Sequence, residues 1–223
     1  MTAVTCWSGR SFDFDPATTA LLVIDMQRDF LDPDGMSAVG GEAVSELRKV
    51  IPAVQRLTTA ARTAGVRVIH TREGYASDLS DVSQAKADRS SVGEPGPLGR
   101  FLVRGEPGHD FAAGFEPIPG EAVIDKPGFG AFFASDLEAL LKAVSVTHLI
   151  IAGITTQCCV HSTLREAVDR GFYCLTVADA CAAFDADVHD AVLTVIQAEN
   201  HLFGWIANVD AVVTEIEAVR DPG

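Results

Sequence analysis

The sequence predicts an α/β protein, a three-layer α/β/α sandwich around a Rossmann-like parallel sheet, folded as a single domain over 1–223. Three observations predict it. Continuous apolar runs of strand length, Leu21-Leu22-Val23-Ile24 and Ile150-Ile151-Ala152 among them, read as strands buried on both faces. Segments with apolar residues at helical spacing lie between such runs, so strands and helices alternate along the chain and imply right-handed crossovers. Finally, 223 residues suffice for one sizeable core, and no Pro-, Gly- or Ser-rich linker divides them.

Taken in order, residues 1–18 read as an irregular N-terminal arm, pinned by Phe12 and Phe14. Thr19 to Asp25 forms the first strand, and Met26 to Gly35 a loop that turns sharply at Asp32-Pro33-Asp34-Gly35. Val44, Leu47, Ile51, Val54 and Leu57 keep helical spacing across a helix from about Glu42 to Ala64, which Gly65 stops. The second strand is Val66 to Thr71. From 72 to 118 the chain shows little periodicity and many glycines and prolines; so long a segment inside a compact domain reads as a substrate-covering or subunit-contacting excursion. Glu121 to Lys126 is the third strand, and Ser135-Asp136-Leu137-Glu138 has the form of a capping box opening the next helix. Thr147 to Gly153 is the fourth strand, followed by a helix from about Cys158 to Arg170 that ends at Gly171. A fifth strand spans Phe172 to Val177, a helix runs from about Asp187 to Asn200, and a short strand near Ala211-Val212-Val213 precedes a last helix.

The net charge of −14 argues against a nucleic acid or an anionic membrane surface as partner. The first ten residues lack the basic start and apolar stretch of a signal peptide, and no window reaches a membrane-spanning length, so a cytoplasmic protein is expected. Five cysteines form neither an even disulfide framework nor zinc-type pairs, so reduced thiols are expected and no metal or other cofactor is implied. Six dispersed histidines suggest no metal site. Gly128-Phe129-Gly130 matches a dinucleotide loop poorly, because Phe133 stands where its third glycine belongs.

In a parallel α/β sheet, ligands bind outside the carboxyl ends of the strands. Asp25 closes the first strand, Lys126 closes the third, and Cys158 and Cys159 open the helix after the fourth. A thiol in the first turn of a helix lies in the positive field of unpaired N–H groups, which favours thiolate; equally, free cysteines often simply pack in a core. A carboxylate beside the thiol could shuttle its proton, and a lysine could hold both anions ionised. The backbone N–H groups of Thr155 and Cys159 are suitable oxyanion donors. Phe30 and Phe129 could wall the pocket, as could Trp205, and Arg72 is a candidate substrate contact. Arg104 and His109 could contact substrate or stabilise the excursion. His161 lies two positions from Cys159, a spacing that points the side chains apart on a helix.

These residues also carry a resemblance. Leu22-Val23-Ile24-Asp25-Met26-Gln27, Asp125-Lys126-Pro127 and Gly153-Ile154-Thr155-Thr156-Gln157-Cys158-Cys159-Val160 resemble the isochorismatase-like cysteine hydrolases over nearly the whole chain. Within that family His70-Thr71-Arg72-Glu73-Gly74, Arg104-Gly105-Glu106-Pro107-Gly108 and Thr163-Leu164-Arg165-Glu166-Ala167 are similar to biuret hydrolase and its ureide-cleaving relatives. The resemblance implies Asp25 as proton shuttle, Lys126 as its electrostatic partner, Cys159 as nucleophile and a cis peptide bond between Ile154 and Thr155. It implies no metal, since the loop after the second strand lacks the histidine pair of the nicotinamidase branch, and it argues against isochorismatase chemistry, which proceeds without the nucleophilic thiol.

The implied substrate is a small linear ureide of the biuret, triuret or guanylurea class, cleaved with release of ammonia. Glu199 stands where biuret hydrolase has a glutamine that binds substrate, and an acceptor-only carboxylate suits the amidine of guanylurea; alternatively Glu199 faces solvent or pairs with an arginine. The alternatives are another small amide (a carbamoyl amino acid, a ureidoacrylate or a maleamate) or a catalytically silent scaffold. The family also implies a homo-oligomer, dimer or tetramer, for which the apolar segment from Leu202 to Ile206 offers a contact.

Overall fold

Along Thr19–Ile24 the side chains of Ala20, Leu22 and Ile24 join one buried core, and those of Leu21 and Val23 join another. A segment buried on both faces must run through the middle of a sheet with layers above and below it. The computed structural model, which describes residues 2–218, has that form. Its elements in chain order begin with β1 (Thr2–Thr5), β2 (Ser11–Phe14), β3 (Thr19–Ile24), α1 (Arg28–Leu31), α2 (Met36–Val39), α3 (Val44–Arg48), α4 (Ile51–Ala64) and β4 (Arg67–Glu73). The excursion then carries α5 (Gln84–Ala87), β5 (Pro95–Gly96) and β6 (Gly99–Arg100). The second half holds β7 (Ala122–Lys126), α6 (Leu137–Ala143), β8 (His148–Ile154), α7 (His161–Asp169), β9 (Tyr173–Ala182), α8 (Ala186–His201), β10 (Trp205–Ala207) and α9 (Val209–Ala218).

Six strands form one parallel sheet in the order β10-β9-β8-β3-β4-β7. The chain winds outward from β3 through β4 to β7, returns to the other side of β3, and winds outward again through β8, β9 and β10. The reversal lies between β3 and β8, where a crevice opens beyond the strand ends. Apolar residues of α3, α4 and α9, together with those of the β1–β2 hairpin, cover one face of the sheet. Those of α6, α7 and α8 cover the other. Fully buried side chains such as Leu57, Leu141 and Leu164 each contribute roughly 1.5–3 kcal/mol by leaving water. Among the described residues no helix is long and apolar enough to cross a membrane, and all five cysteines are free thiols.

Local structure departs from the sequence reading in several places. The arm is a regular antiparallel hairpin that buries Phe12 and Phe14, so the pinning holds but the irregularity does not. The helix expected from Glu42 to Ala64 is two helices, α3 and α4, with Pro52 in the first turn of the second, the position where a missing N–H costs nothing. The capping box is only half made: Ser135 Oγ accepts from the Leu137 N–H at 3.3 Å, but Glu138 pairs with Lys142 and Arg170 and does not reach back. Residues 211–213 belong to α9, and the last strand is β10, so Ile206 is buried in this chain's own core while Leu202 is exposed.

The excursion is an organised cover. The buried Asp29 carboxylate accepts a hydrogen bond from the Leu102 N–H (2.9 Å), and the Tyr75 N–H donates to the Leu102 carbonyl (2.8 Å). Its far end is fastened by Glu121, which accepts from Arg62 (2.7 and 2.8 Å) and lies 2.9 Å from His70 Nε2. Although burial opposes its charge, Arg62, the Ile118 N–H and His70 hold the Glu121 carboxyl at about 2, against an ordinary 4.5. A depressed carboxyl stabilises the fold above its unfolded value, and that contribution fades as pH falls from about 4.5 toward 2. Glu121→Gln is therefore expected to be about 2–3 kcal/mol less stable than wild type at pH 7 in urea unfolding, with the difference shrinking toward pH 2.

Candidate active site

Each of the three adjacent strands β3, β4 and β7 ends beside or in an ionisable residue: Asp25 follows β3, Glu73 closes β4 and Lys126 closes β7, in register with Glu73. Asp25 turns the chain with a left-handed φ of 51°, and its N–H donates to the Thr71 carbonyl (3.2 Å). Thr71 Oγ1 donates to Asp25 Oδ1 at 2.5 Å, and Lys126 Nζ lies 2.7 Å from Oδ2. Lys126 Nζ also donates to the Gly128 carbonyl at 2.9 Å. Both members of this ion pair are wholly buried. Breaking such a pair from one side leaves an uncompensated charge and costs about 3–5 kcal/mol.

The sulfur comes from the turn after β8. Gly153 has a φ of 122°, and a side chain there would collide with the Ile24 backbone, so glycine is what lets β8 approach β3 at the winding reversal. The Ile154–Thr155 peptide bond is cis. Thr156–Val160 then forms one wide π-helical turn that leads into α7, where an ordinary helix start was expected. Cys159 is buried on this turn and Cys158 is half-exposed. The Cys159 thiol donates to Glu73 Oε2 at 3.4 Å. The helix that follows also braces the loop beyond Lys126: Thr163 Oγ1 accepts from the Ala131 N–H and Glu166 Oε2 from the Phe132 N–H, both at 3.0 Å. One helix thus follows the sulfur directly and braces the loop that follows the ammonium.

Burial pushes the Asp25 carboxyl above its ordinary range, and the nearby Glu73 adds to that, against the pull of Lys126. Burial works against the Lys126 ammonium, but Asp25, Cys159 and Glu73 around it raise it above the usual lysine range. Glu73 is likewise desolvated, yet Lys126 and Lys86 hold it below the carboxylate norm. The neighbouring Cys158 thiol and complete burial push Cys159 well up. The resting site therefore holds a protonated thiol, and Asp25 is the carboxyl best disposed to take its proton.

Not every expected residue joins this cluster. Arg72 shares a strand with Glu73 but points the other way, donating to Asp125 at 2.7 and 3.0 Å and lying over the Phe111 ring. Phe30 is half-buried against Phe101 and the core on the α4 side of the sheet. Phe129 is exposed and lines a pocket of about 480 Å³ with Lys86, Arg89 and Phe133. Glu199 is exposed, at a break in α8 where it, Asn200 and His201 all take left-handed φ values. Arg104 pairs with Asp81, and the buried His109 packs on Gly74, so both stabilise the excursion. His161 turns its ring to Phe203.

Glu73 is the residue the sequence reading passed over. The rule that selected Asp25 and Lys126 from their strand ends applies equally to it, but the strand was expected to stop at Thr71. Gln27 fixes that strand end: its Nε2 donates to the Glu73 and His109 carbonyls and its Oε1 accepts from the Glu73 N–H. Asp25, Glu73 and Cys159 present donor atoms within 4.8 Å of one another, but the Lys126 ammonium, 2.7 Å from Asp25 Oδ2, already takes the place of a cation there, so the set does not suit a metal.

The isochorismatase domain matches residues 19–211. The ureidoacrylate amidohydrolase RutB of Serratia proteamaculans (strain 568) is 29% identical over 213 residues, 92% of this chain and 85% of that protein. A cysteine hydrolase from Pseudomonas syringae pv. phaseolicola 1448A superposes with a TM-score of 0.82 at 28% identity, covering 93% of this chain and 96% of its own. An isochorismatase family protein from Desulfovibrio vulgaris gives 0.75 at 29% identity, covering 87% and 96%.

The glycine at the winding reversal gives a direct check of this geometry. Gly153→Ala is expected to lose about 2–5 kcal/mol in urea unfolding, from the left-handed φ together with the clash at Ile24.

Proposed function

The chain belongs to the isochorismatase family, and on that premise we propose that it is a cysteine-dependent amidohydrolase that cleaves a C–N bond of a small ureide. The observation that carries this reading is the Cys159 thiol, buried within reach of two carboxylates and a buried lysine at the strand ends. In the first half-reaction the Cys159 proton passes to Asp25 and the thiolate attacks the amide or urea carbonyl. The oxyanion that forms is received by the backbone N–H groups of Thr155 and Cys159, and Lys126 restrains the developing charge. The C–N bond then breaks, Asp25 returns its proton to the departing nitrogen, and ammonia leaves. In the second half-reaction water, deprotonated by Asp25, displaces the acyl or carbamoyl group from sulfur and restores the thiol.

Two substrate readings each have support. A ureidoacrylate, which the sequence reading holds as an alternative, is the compound the named relative RutB acts on. An uncharged ureide such as biuret or triuret accords with the matching of Lys126 to Asp25, Lys86 to Glu73 and Arg72 to Asp125. Arg89, which lines the pocket and donates only to the Ala85 carbonyl among the described residues, accords instead with a carboxylate-bearing ureidoacrylate. Guanylurea drew its support from Glu199, and the exposure of that side chain weakens it.

Ammonia release from biuret, triuret, guanylurea, ureidoacrylate, a carbamoyl amino acid and maleamate decides among these. Turnover of at least one ureide is expected, falling about a thousandfold or more in Cys159→Ala. Turnover of maleamate alone would overturn the ureide reading, and no turnover of any compound would favour the silent scaffold. Unchanged preference in Glu199→Gln would remove that residue from substrate selection.

A further inference from the structure

Glu73 is more than a neighbour of the triad. Its Oε2 receives the Cys159 thiol, while Oε1 accepts from the Tyr75 hydroxyl (2.7 Å) and from Lys86 Nζ (2.5 Å). Lys86 stands on α5, thirteen positions along the excursion, and reaches this buried carboxylate with its ammonium 4.8 Å from the Tyr75 ring centroid and 3.8 Å from that of Phe129. It also lines the 480 Å³ pocket, so its side chain lies on both the pocket wall and the carboxylate. The desolvation of a buried ion pair cancels much of its attraction, so stability alone is a weak reason for this one.

Around the sulfur the charges can be counted by element. β3 is followed by Asp25, β4 gives Glu73 with Tyr75 just beyond, β7 gives Lys126 and α5 gives Lys86; the sulfur's own turn adds Cys158, and His189 of α8 binds Thr156 Oγ1 at 2.8 Å. Two carboxylates face two ammonium groups, so the site is neutral with a protonated thiol. It stays neutral when the thiol proton moves onto Asp25. Without Lys86 the same transfer would create a thiolate beside an unbalanced Glu73 carboxylate.

We propose that Glu73 and Lys86 are a second charge pair of the active site that sets the ionisation of Cys159: Glu73 as a catalytic residue hydrogen-bonded to the reacting sulfur, Lys86 as a positioning residue that the excursion brings to it. The nucleophile is then active only with the excursion seated. This rests on Cys159 being the nucleophile, as proposed above, but on no particular substrate.

The pH dependence of Cys159 alkylation by iodoacetamide, read by peptide mass spectrometry on the full-length chain, tests it. A change in access alters the plateau rate, whereas a change in charge moves the midpoint. Lys86→Met is expected to raise the midpoint by about one pH unit, a tenfold loss of thiolate below it, and Glu73→Gln to lower it. The double variant, which removes both charges, should fall between the two single variants. Lys86→Arg keeps the charge and should keep the wild-type midpoint, so the contrast of Met with Arg decides the matter even if Glu73→Gln fails to fold. Unmoved midpoints, or single variants that shift the midpoint in the same direction, would overturn the pair. A normal alkylation profile with no ureide turnover would retire the substrate reading alone, and full ureide turnover in Cys159→Ala would overturn both.

Discussion

A lysine ammonium with no exposure to water is the constraint around which this molecule is arranged. Lys126 has lost its hydration entirely, a cost of several kcal/mol after relaxation. Asp25 at 2.7 Å and the Gly128 carbonyl at 2.9 Å offset that cost directly, and Glu73 adds to the negative field around it. The same contacts have a chemical consequence. A fixed cation among three acids makes one negative charge easy to move between sulfur and carboxylate, which is what thiol-dependent acyl transfer requires.

Holding that arrangement takes elements distant in sequence. The ammonium stands on β7, its carboxylate follows β3, and the sulfur follows β8, so the site exists only at the winding reversal of a correctly ordered sheet. Gly153 permits the approach of β8 to β3, and Gln27 ties the end of β4 to the excursion. Thr163 and Glu166 of α7 brace the loop beyond β7. Each brace is a hydrogen bond between groups with little access to solvent, where losing one partner costs about 1–3 kcal/mol.

Much of this could be read from residues alone. β3 and β8 announce themselves because a strand buried on both faces must be apolar at every position, and strand ends then nominate Asp25 and Lys126. The choice of Cys159 over Cys158 was not legible from local pattern; it came from family resemblance, and the structure puts Cys159 inward and Cys158 partly outward. Lys86 was illegible, because nothing in an aperiodic excursion says which cation folds back onto a strand end. Arg72 shows the other failure. On an extended strand neighbouring residues face opposite ways, and an expected end at Thr71, two residues short of the true one, selected Arg72 and left out the buried Glu73 behind it. The break in α8 that leaves Glu199 exposed has no signal in a segment whose apolar spacing reads as continuous helix.

The central claim is that the Cys159 sulfur forms a covalent bond with substrate inside this charge cage. Acid-quenching the enzyme during turnover of its best ureide and weighing the intact chain tests it most directly. The account predicts a mass increase equal to the acyl or carbamoyl group, localised to the peptide carrying Cys159 and lost in Cys159→Ser. Undiminished turnover in Cys159→Ser, or an adduct that maps to Cys158, would contradict it.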